Sequence, residues 1–268
     1  MPRPRLNTEK ALAESRSFGH KYVPLLRPLG WLARGWRDLW TCPLPSLLHG
    51  VLSAVFGLLL LWWARDRFWL LAGAFSGFLL VAPVVATGLY AISRDIERRR
   101  KPGFDSVRRA WRPDNGRLVI FGMLLALAGT GWVLTSASLV TGFAPAPIDK
   151  PVDFLRHVVL SEHSLLFEAW LALGAVLAAP VFASSVVAIP LLLDHKVSVL
   201  AAVFTSWRVV MAYPAPVALW AALLMGLTLL GMVTAMLGLI VIVPWLGHAS
   251  WHAYRDLVDT RGLPSTEP

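Results

Sequence analysis

The chain has 268 residues, 56% hydrophobic and only 15% charged, with a mean hydropathy of +0.61. Soluble domains carry roughly 25% charged residues, so this composition places the chain in the membrane class. The net charge of +9 sits between apolar segments rather than on a polar domain, which points to topology and anionic lipid rather than nucleic acid; the single cysteine, Cys42, excludes an intrachain disulfide and a cysteine-rich metal framework.

Residues 1–28 mix Arg3, Arg5, Lys10, Arg16, Lys21 and Arg27 with prolines and glycines and read as a flexible cytosolic tail. Some 40 polar, proline-punctuated residues precede the first apolar span, where a cleavable signal peptide would already show its apolar region. From Leu29 to Trp40, Leu29, Leu32, Trp36, Leu39 and Trp40 recur at helical spacing, with Arg34, Arg37 and Asp38 on the other face. Such a helix suits the headgroup region.

The apolar spans follow. Pro45–Ala64 is the first, with a turn at Arg65-Asp66-Arg67. Phe68–Ile92 is the second and carries Gly73-xxx-Gly77, a spacing that lets two helix backbones approach. The basic run Arg94–Arg117 holds nine Lys+Arg and leads to the third span, Leu118–Leu139. After the loop 140–164 comes Leu165–Leu193, the fourth, where Pro180 and Pro190 offer places to kink. Between Asp194 and Tyr213 lies a second amphipathic piece with Val197, Leu200, Phe204, Trp207 and Met211 as its stripe. Pro214–Leu246 then runs 33 residues without a charge. As one helix that is about 50 Å, against roughly 30 Å of hydrocarbon. Two spans fit better, Pro214–Thr234 and Leu237–Leu257, turning near Gly231–Gly238.

With both termini cytoplasmic, 21 of the 25 Lys+Arg fall on the cytoplasmic side and four outside. This asymmetry follows the positive-inside rule. An internal repeat agrees with it. Trp36-Arg37 and Trp207-Arg208 are each followed, after five residues, by Pro-x-Pro (Pro43 and Pro45; Pro214 and Pro216). Trp111-Arg112 takes the same place before the third span in divergent form. Pro83 precedes Arg94-Asp95 by the distance at which Pro244 precedes Arg255-Asp256, and Pro180 lies 14 residues before Asp194. The expected fold is therefore all-α and polytopic: six transmembrane helices in three repeated hairpins, each preceded by a short interfacial helix. The units are about 29–92, 104–193 and 197–258 of one membrane domain spanning 29–258, with a cytosolic tail at 259–268. A proline in a first helical turn costs no hydrogen bond and sets the angle between surface helix and span.

Candidate chemistry is sparse. His248 and His252, spaced i,i+4, share one helix face, and topology puts His49 and His195 in the same cytosolic half. Four histidines at one depth could ligate a haem or a metal; the alternative is interfacial imidazoles with ordinary hydrogen bonds, and no cofactor is the leading expectation. Glu168 is the acid inside an apolar span, either a proton site or a side chain snorkelling to nearby water. The pairs Trp36-Arg37, Trp111-Arg112 and Trp207-Arg208 either anchor the interface or bind phospholipid headgroups. No phosphate-loop, dinucleotide, zinc-protease or serine-hydrolase motif occurs.

The segment Val243–Val258, VPWLGHASWHAYRDLV, resembles the closing signature of a bacterial integral membrane family, the domain of unknown function 2189, and Gly35-Trp36-Arg37-Asp38-Leu39-Trp40 is similar to it as well. The resemblance spans most of residues 30–258 and implies a bacterial inner-membrane protein of about six helices, with no activity, cofactor or catalytic residue to carry over. The three-hairpin plan is also similar to mitochondrial carriers, but their Pro-x-acid-x-x-base signature is missing. The expected protein is a non-enzymatic accessory or scaffold of the bacterial inner membrane, in contact with anionic lipid headgroups and a membrane-protein partner. A transporter or channel for a small or lipid-like molecule, and a haem- or metal-binding redox component, are the alternatives.

Overall fold

The computed structural model describes residues 4–17, 19, 22–64, 86–111, 116–161 and 165–260. It is all-helical, with no strand among the described residues. In chain order the elements are α1 (Pro4–Arg16), α2 (Arg27–Thr41), α3 (Pro43–Ala64), α4 (86–97), α5 (Phe104–Ala110) and α6 (Gly116–Phe143). Then come α7 (Pro151–Phe154, continued by a π turn at Leu155–Val159), α8 (Leu166–Ser185), α9 (Ala188–Asp194), α10 (Val199–Ala212), α11 (Pro214–Val233) and α12 (Leu239–Leu257). The turn 65–67, the span residues 68–85 with Gly73, Gly77 and Pro83, Arg112 and its neighbours 113–115, and the tail 261–268 lie outside the described residues.

Four stretches among the described residues are long and apolar enough to cross a membrane: Pro43–Trp63, Gly116–Phe143, Leu166–Asp194 and Pro214–Val233. The Pro-x-Pro motifs open α3 and α11 in their first turns. α6 has 28 residues, about 42 Å at 1.5 Å per residue, so it must tilt in a hydrocarbon layer of roughly 30 Å. The fourth stretch breaks between its two prolines: α8 ends at Ser185 and α9 begins at Ala188. The long apolar run 214–246 divides as its length requires, at the turn 234–238, where Ala235 and Met236 take φ of 52° and 65°. α12 has 19 residues, but its second half carries His248, His252, Arg255 and Asp256, and it is not among the four apolar stretches.

α12 is the hub. It packs most closely on α2 and α3 and also meets α11. Two glycines permit this: a Cβ on Gly35 of α2 would sit 2.5 Å from the Ala249 nitrogen, and one on Gly50 of α3 would sit 2.0 Å from the Ile240 carbonyl oxygen. The main core joins Trp31 and Leu32 of α2, Tyr90 and Ala91 of α4, Leu191 and Leu192 of α9, Val217 and Trp220 of α11, and Trp251, Tyr254 and Leu257 of α12. Trp31 meets Trp220 edge to face at 5.5 Å. A smaller cluster, Val140, Ile148, Val158 and Leu166, caps the far end of α6 and α8.

Two sequence expectations change. The buried face of α2 is Pro28, Trp31, Leu32, Gly35, Asp38 and Leu39, so Arg34 and Asp38 do not point together to the headgroups, and Trp31 rather than Trp36 is the core tryptophan. Residues 4–16, within the stretch read as a flexible tail, form α1, which packs on α10. Ser198 donates to Glu14 at 2.8 Å, and the Arg208 guanidinium donates to the Ser15 carbonyl. Gly19 and Asp259 form a bridge, joining the segments before α2 and after α12.

Candidate functional site

The ends of α2, α4, α5, α6, α9 and α12 meet in one layer of carboxylates, guanidinium groups, hydroxyls and imidazoles. At its centre is Asp38, buried on α2. Its Oδ2 accepts the Ser93 hydroxyl at 2.6 Å and lies 2.8 Å from His252 Nε2. Ser93 Oγ is 2.8 Å from His248 Nδ1, and His248 Nε2 is 2.9 Å from Ser46 Oγ. The proton inventory fixes the directions. Ser93 has one proton and gives it to Asp38, so His248 Nδ1–H donates to Ser93. Ser46 also has one proton, and its hydroxyl lies 2.7 Å from the Cys42 carbonyl and 2.9 Å from His248 Nε2, so with a neutral His248 that proton is shared between the two acceptors. A charged Asp38 makes His252 Nε2 a donor. The result is a relay across four helices, from Ser46 on α3 through His248, Ser93 and Asp38 to His252, and His248 in its middle is fully buried.

Four further carboxylates sit at other joints. Asp256 accepts from Arg27 Nε at 2.7 Å, Trp31 Nε1 at 2.8 Å and Arg34 Nη2 at 2.5 Å, clamping α2 to the end of α12. Its hydrogen bond and charge raise the Arg27 guanidinium above the ordinary arginine value. Asp194, at the end of α9, accepts from Arg98 at 2.7 Å and Tyr254 at 3.0 Å. Asp95, fully buried on α4, accepts from Ser106 at 2.6 Å and Arg109 at 2.5 Å of α5. Glu97 takes Trp251 Nε1 and Arg255 Nε, both at 2.9 Å, and Arg117 at the start of α6 donates to the Val197 carbonyl at 2.8 Å. Buried charges persist where each is paired and hydrogen-bonded, and here the pairs join different helices.

Beside the relay is a cavity of about 310 Å³, open on one side. Arg34, Asp256, Glu97, Arg255, Ser93 and His252 are among its lining residues.

The structure brings His49, His248 and His252 together on α3 and α12 and leaves His195 apart. His49 donates through Nδ1 to the Pro45 carbonyl at 2.7 Å and is close enough to act electrostatically on His248. His195 lies beside Asp194, its Nε2 3.2 Å from Oδ2. Both ring nitrogens of His248 face hydroxyls, so ligation there would first break those bonds. Among the described residues no group of three or more His, Cys, Asp or Glu is placed to hold a metal ion.

Trp36 is partly exposed and packs edge to face on Trp40 at 5.6 Å and Trp245 at 5.2 Å, with Arg37 exposed beside it. Trp111 is exposed, its ring 6.2 Å from that of His49; Arg112 lies outside the described residues. Trp207 donates to Ser184 at 2.9 Å, tying α10 to α8. Glu168 is exposed in the first turn of α8. The sequence reading did not select Asp38, Ser46, Ser93, Glu97 or Tyr254. For Asp95, Asp194 and Asp256, equally unselected, a signal was present, the acid recurring at the end of each even-numbered span; nothing comparable marks the other five.

No curated protein and no solved structure matches the chain. The matching family is described as predicted integral membrane protein (DUF2189), and its match includes neither of the two segments, on α2 and α12, from which the resemblance was read. It begins before α4 and ends with α9, and so takes in Ser93, Asp95 and Asp194 but not Asp38, His248 or Asp256. Over residues 69–194, just under half of its length, the chain matches this family of predicted integral membrane proteins, in agreement with the resemblance read from its sequence.

Proposed function

We propose that the protein is a six-span accessory or scaffold protein of the bacterial inner membrane, with both termini and the polar layer on the cytoplasmic side. The observation that carries this reading is the use of the interior polar groups. Asp38, Asp95, Asp194 and Asp256 each tie one helix to another, and the hydroxyls and imidazoles between them face one another. Such a layer holds the helix ends in fixed positions. The same layer gathers Arg27, Arg34, Arg98, Arg109, Arg117 and Arg255 at one end, which supports the positive-inside assignment. α12 as a last span and residues 68–92 as the second complete the three hairpins of the repeat.

In this reading the apolar sides of α6 and α8 face lipid and a partner protein. Leu127 and Val176 are among their exposed residues. A photo-crosslinking residue placed at each position in living cells should give a discrete protein adduct at one of them. Adducts with lipid alone at both positions would remove the scaffold reading while leaving the topology standing.

A further inference from the structure

The hairpin of α11 and α12 is shorter than the helices beside it. Tyr254 of α12 donates to Asp194 at 3.0 Å, and Arg117 of α6 donates to the nearby Val197 carbonyl at 2.8 Å, so both helices start from the polar layer. From there α6 rises about 39 Å to Phe143, whereas α12 reaches back only about 22 Å to Leu239. α11 agrees with α12. Its Trp220 packs on Trp31, which holds Asp256, so only about 20 Å of α11 lies beyond the layer. α3 gives a separate measure. A Cβ on its Gly57 would lie 3.4 Å from the sulfur of Met236, in the turn 234–238. α3 then continues from Leu58 to Ala64, about 10 Å further. A tilt of about 40°, the upper end for membrane helices, still leaves about 8 Å. Trp62 and Trp63, 69% and 61% exposed, lie at that end of α3, and exposed tryptophans favour the edge of the hydrocarbon.

The turn itself is built for an apolar medium. Thr234-Ala235-Met236-Leu237-Gly238 carries no charge, whereas the other outer connections hold Arg65-Asp66-Arg67 and Asp149, Lys150, Asp153 and Arg156. Val233 and Leu237 are 78% and 59% exposed. Hydrocarbon offers backbone groups no partner, so they must be satisfied within the chain. The amides of Met236, Leu237 and Leu239 donate to the carbonyls of Met232, Thr234 and Met236 at 3.2, 3.1 and 3.0 Å. Thr234, the one polar side chain of the turn, donates to the Gly231 carbonyl and accepts the Gly238 amide, both at 2.9 Å. The left-handed positions, usual places for glycine or asparagine, are held by Ala235 and Met236.

We propose, on the topology given above, that the α11–α12 turn ends inside the bilayer and is a contact surface for lipid acyl chains through Val233 and Leu237. The hairpin enters from the cytoplasm, carries part of the polar layer at its base and turns back about 8–10 Å short of the outer end of α3. Above His248, α12 offers only Leu239–Gly247, about 14 Å, close to the hydrocarbon of one leaflet. An aqueous vestibule over the turn would leave two large apolar side chains in water. Acyl chains cover them at no such cost. The last hairpin is then an embedded support for the layer and presents no loop to the outside.

The test uses the full chain with Cys42→Ser and a nitroxide on Val233→Cys or Leu237→Cys, in vesicles of phosphatidylethanolamine and phosphatidylglycerol. Both side chains are exposed, so two independent positions report without disturbing the packed helices. Power-saturation EPR reads collisions with oxygen, which concentrates in hydrocarbon, and with a nickel chelate, which stays in water. Oxygen should exceed nickel several-fold at both positions, and the order should reverse at Asp149→Cys in the outer loop. Nickel equal to or above oxygen at 233 and 237 would place the turn in water, and low rates with both reagents would show a protein cover. Either result overturns the proposal and leaves the topology standing. The topology is read separately, by an impermeant maleimide on Asp149→Cys in intact cells; no labelling there removes the premise and the proposal with it.

Discussion

Replacing Gly50 by Ala adds one methyl group at the tightest contact of the fold. The new Cβ would lie 2.0 Å from the Ile240 carbonyl oxygen and 2.5 Å from its carbonyl carbon, both backbone atoms that cannot rotate away. Ordinary contact begins near 3.4 Å, so α3 and α12 must separate by roughly 1.4 Å. Overpacking of this kind costs about 1–3 kcal/mol. The same movement stretches the 2.9 Å contact between Ser46 and His248, and an unsatisfied buried group adds about 1–3 kcal/mol. Alanine's better helix propensity returns at most about 1 kcal/mol. The net expectation is a loss of about 1–5 kcal/mol, or roughly 3–15 °C in apparent Tm. Gly57, two turns along the same helix, is the control. Its Cβ would meet the flexible side chain of Met236, with Cγ and Sδ at 3.4 Å and Cβ at 3.9 Å, so Gly57→Ala should leave Tm unchanged or raise it. Tryptophan fluorescence during heating reads both variants. Equal shifts for the two, or no shift for Gly50→Ala, would refute the close approach of α3 to α12.

Asp256→Asn should free α2 from α12, because Arg27 and Arg34 lose their charged acceptor; cleavage by trypsin after these arginines is expected to become at least several-fold faster, and an unchanged digest would show that the clamp is dispensable. Ser46→Ala and Ser93→Ala each leave one nitrogen of His248 without a partner, a loss of about 1–3 kcal/mol apiece. Their double variant should deviate from additivity by about 0.5 kcal/mol or more in a thermal double-mutant cycle, since both act through one ring, and strict additivity would argue against a continuous relay. Ala235→Gly relieves a left-handed residue in the turn between α11 and α12 and should raise stability by up to about 1 kcal/mol; a lower Tm would contradict the turn geometry.

The parts of the fold legible in the sequence were those fixed by local chemistry. Pro43 and Pro214 open helices because their missing N–H needs no partner there. The break at 186–187 falls between Pro180 and Pro190, and the division of 214–246 follows from its length against the bilayer. What stayed hidden depends on partners far away in the chain. Asp38 meets His252 across 214 positions and Ser93 across 55. From sequence, Asp38 was one more polar residue on an amphipathic helix. Ser46 and Ser93 were equally quiet, since a hydroxyl in a helix can satisfy itself on the carbonyl four residues back, as Ser53 does with His49. Helical spacing also gives the faces of α2 without saying which neighbour covers them, which is why Trp36 stood out and Trp31 did not. The histidines were selected by residue type and depth; their hydrogen bonds to hydroxyls and a carboxylate appear only in three dimensions.

The account rests on one polar layer at one side of the membrane, and labelling from each side tests it most directly. With Cys42 replaced by Ser, single cysteines at Arg99, Arg108 and Lys196, exposed residues in or next to the layer, are compared with cysteines at Asp149 and Leu160 at the far end of α6. A membrane-impermeant maleimide should reach 149 and 160 in intact cells and should label 99, 108 and 196 only after the inner membrane is opened. Labelling of both sets from the same side would contradict the topology and the cytoplasmic layer built on it.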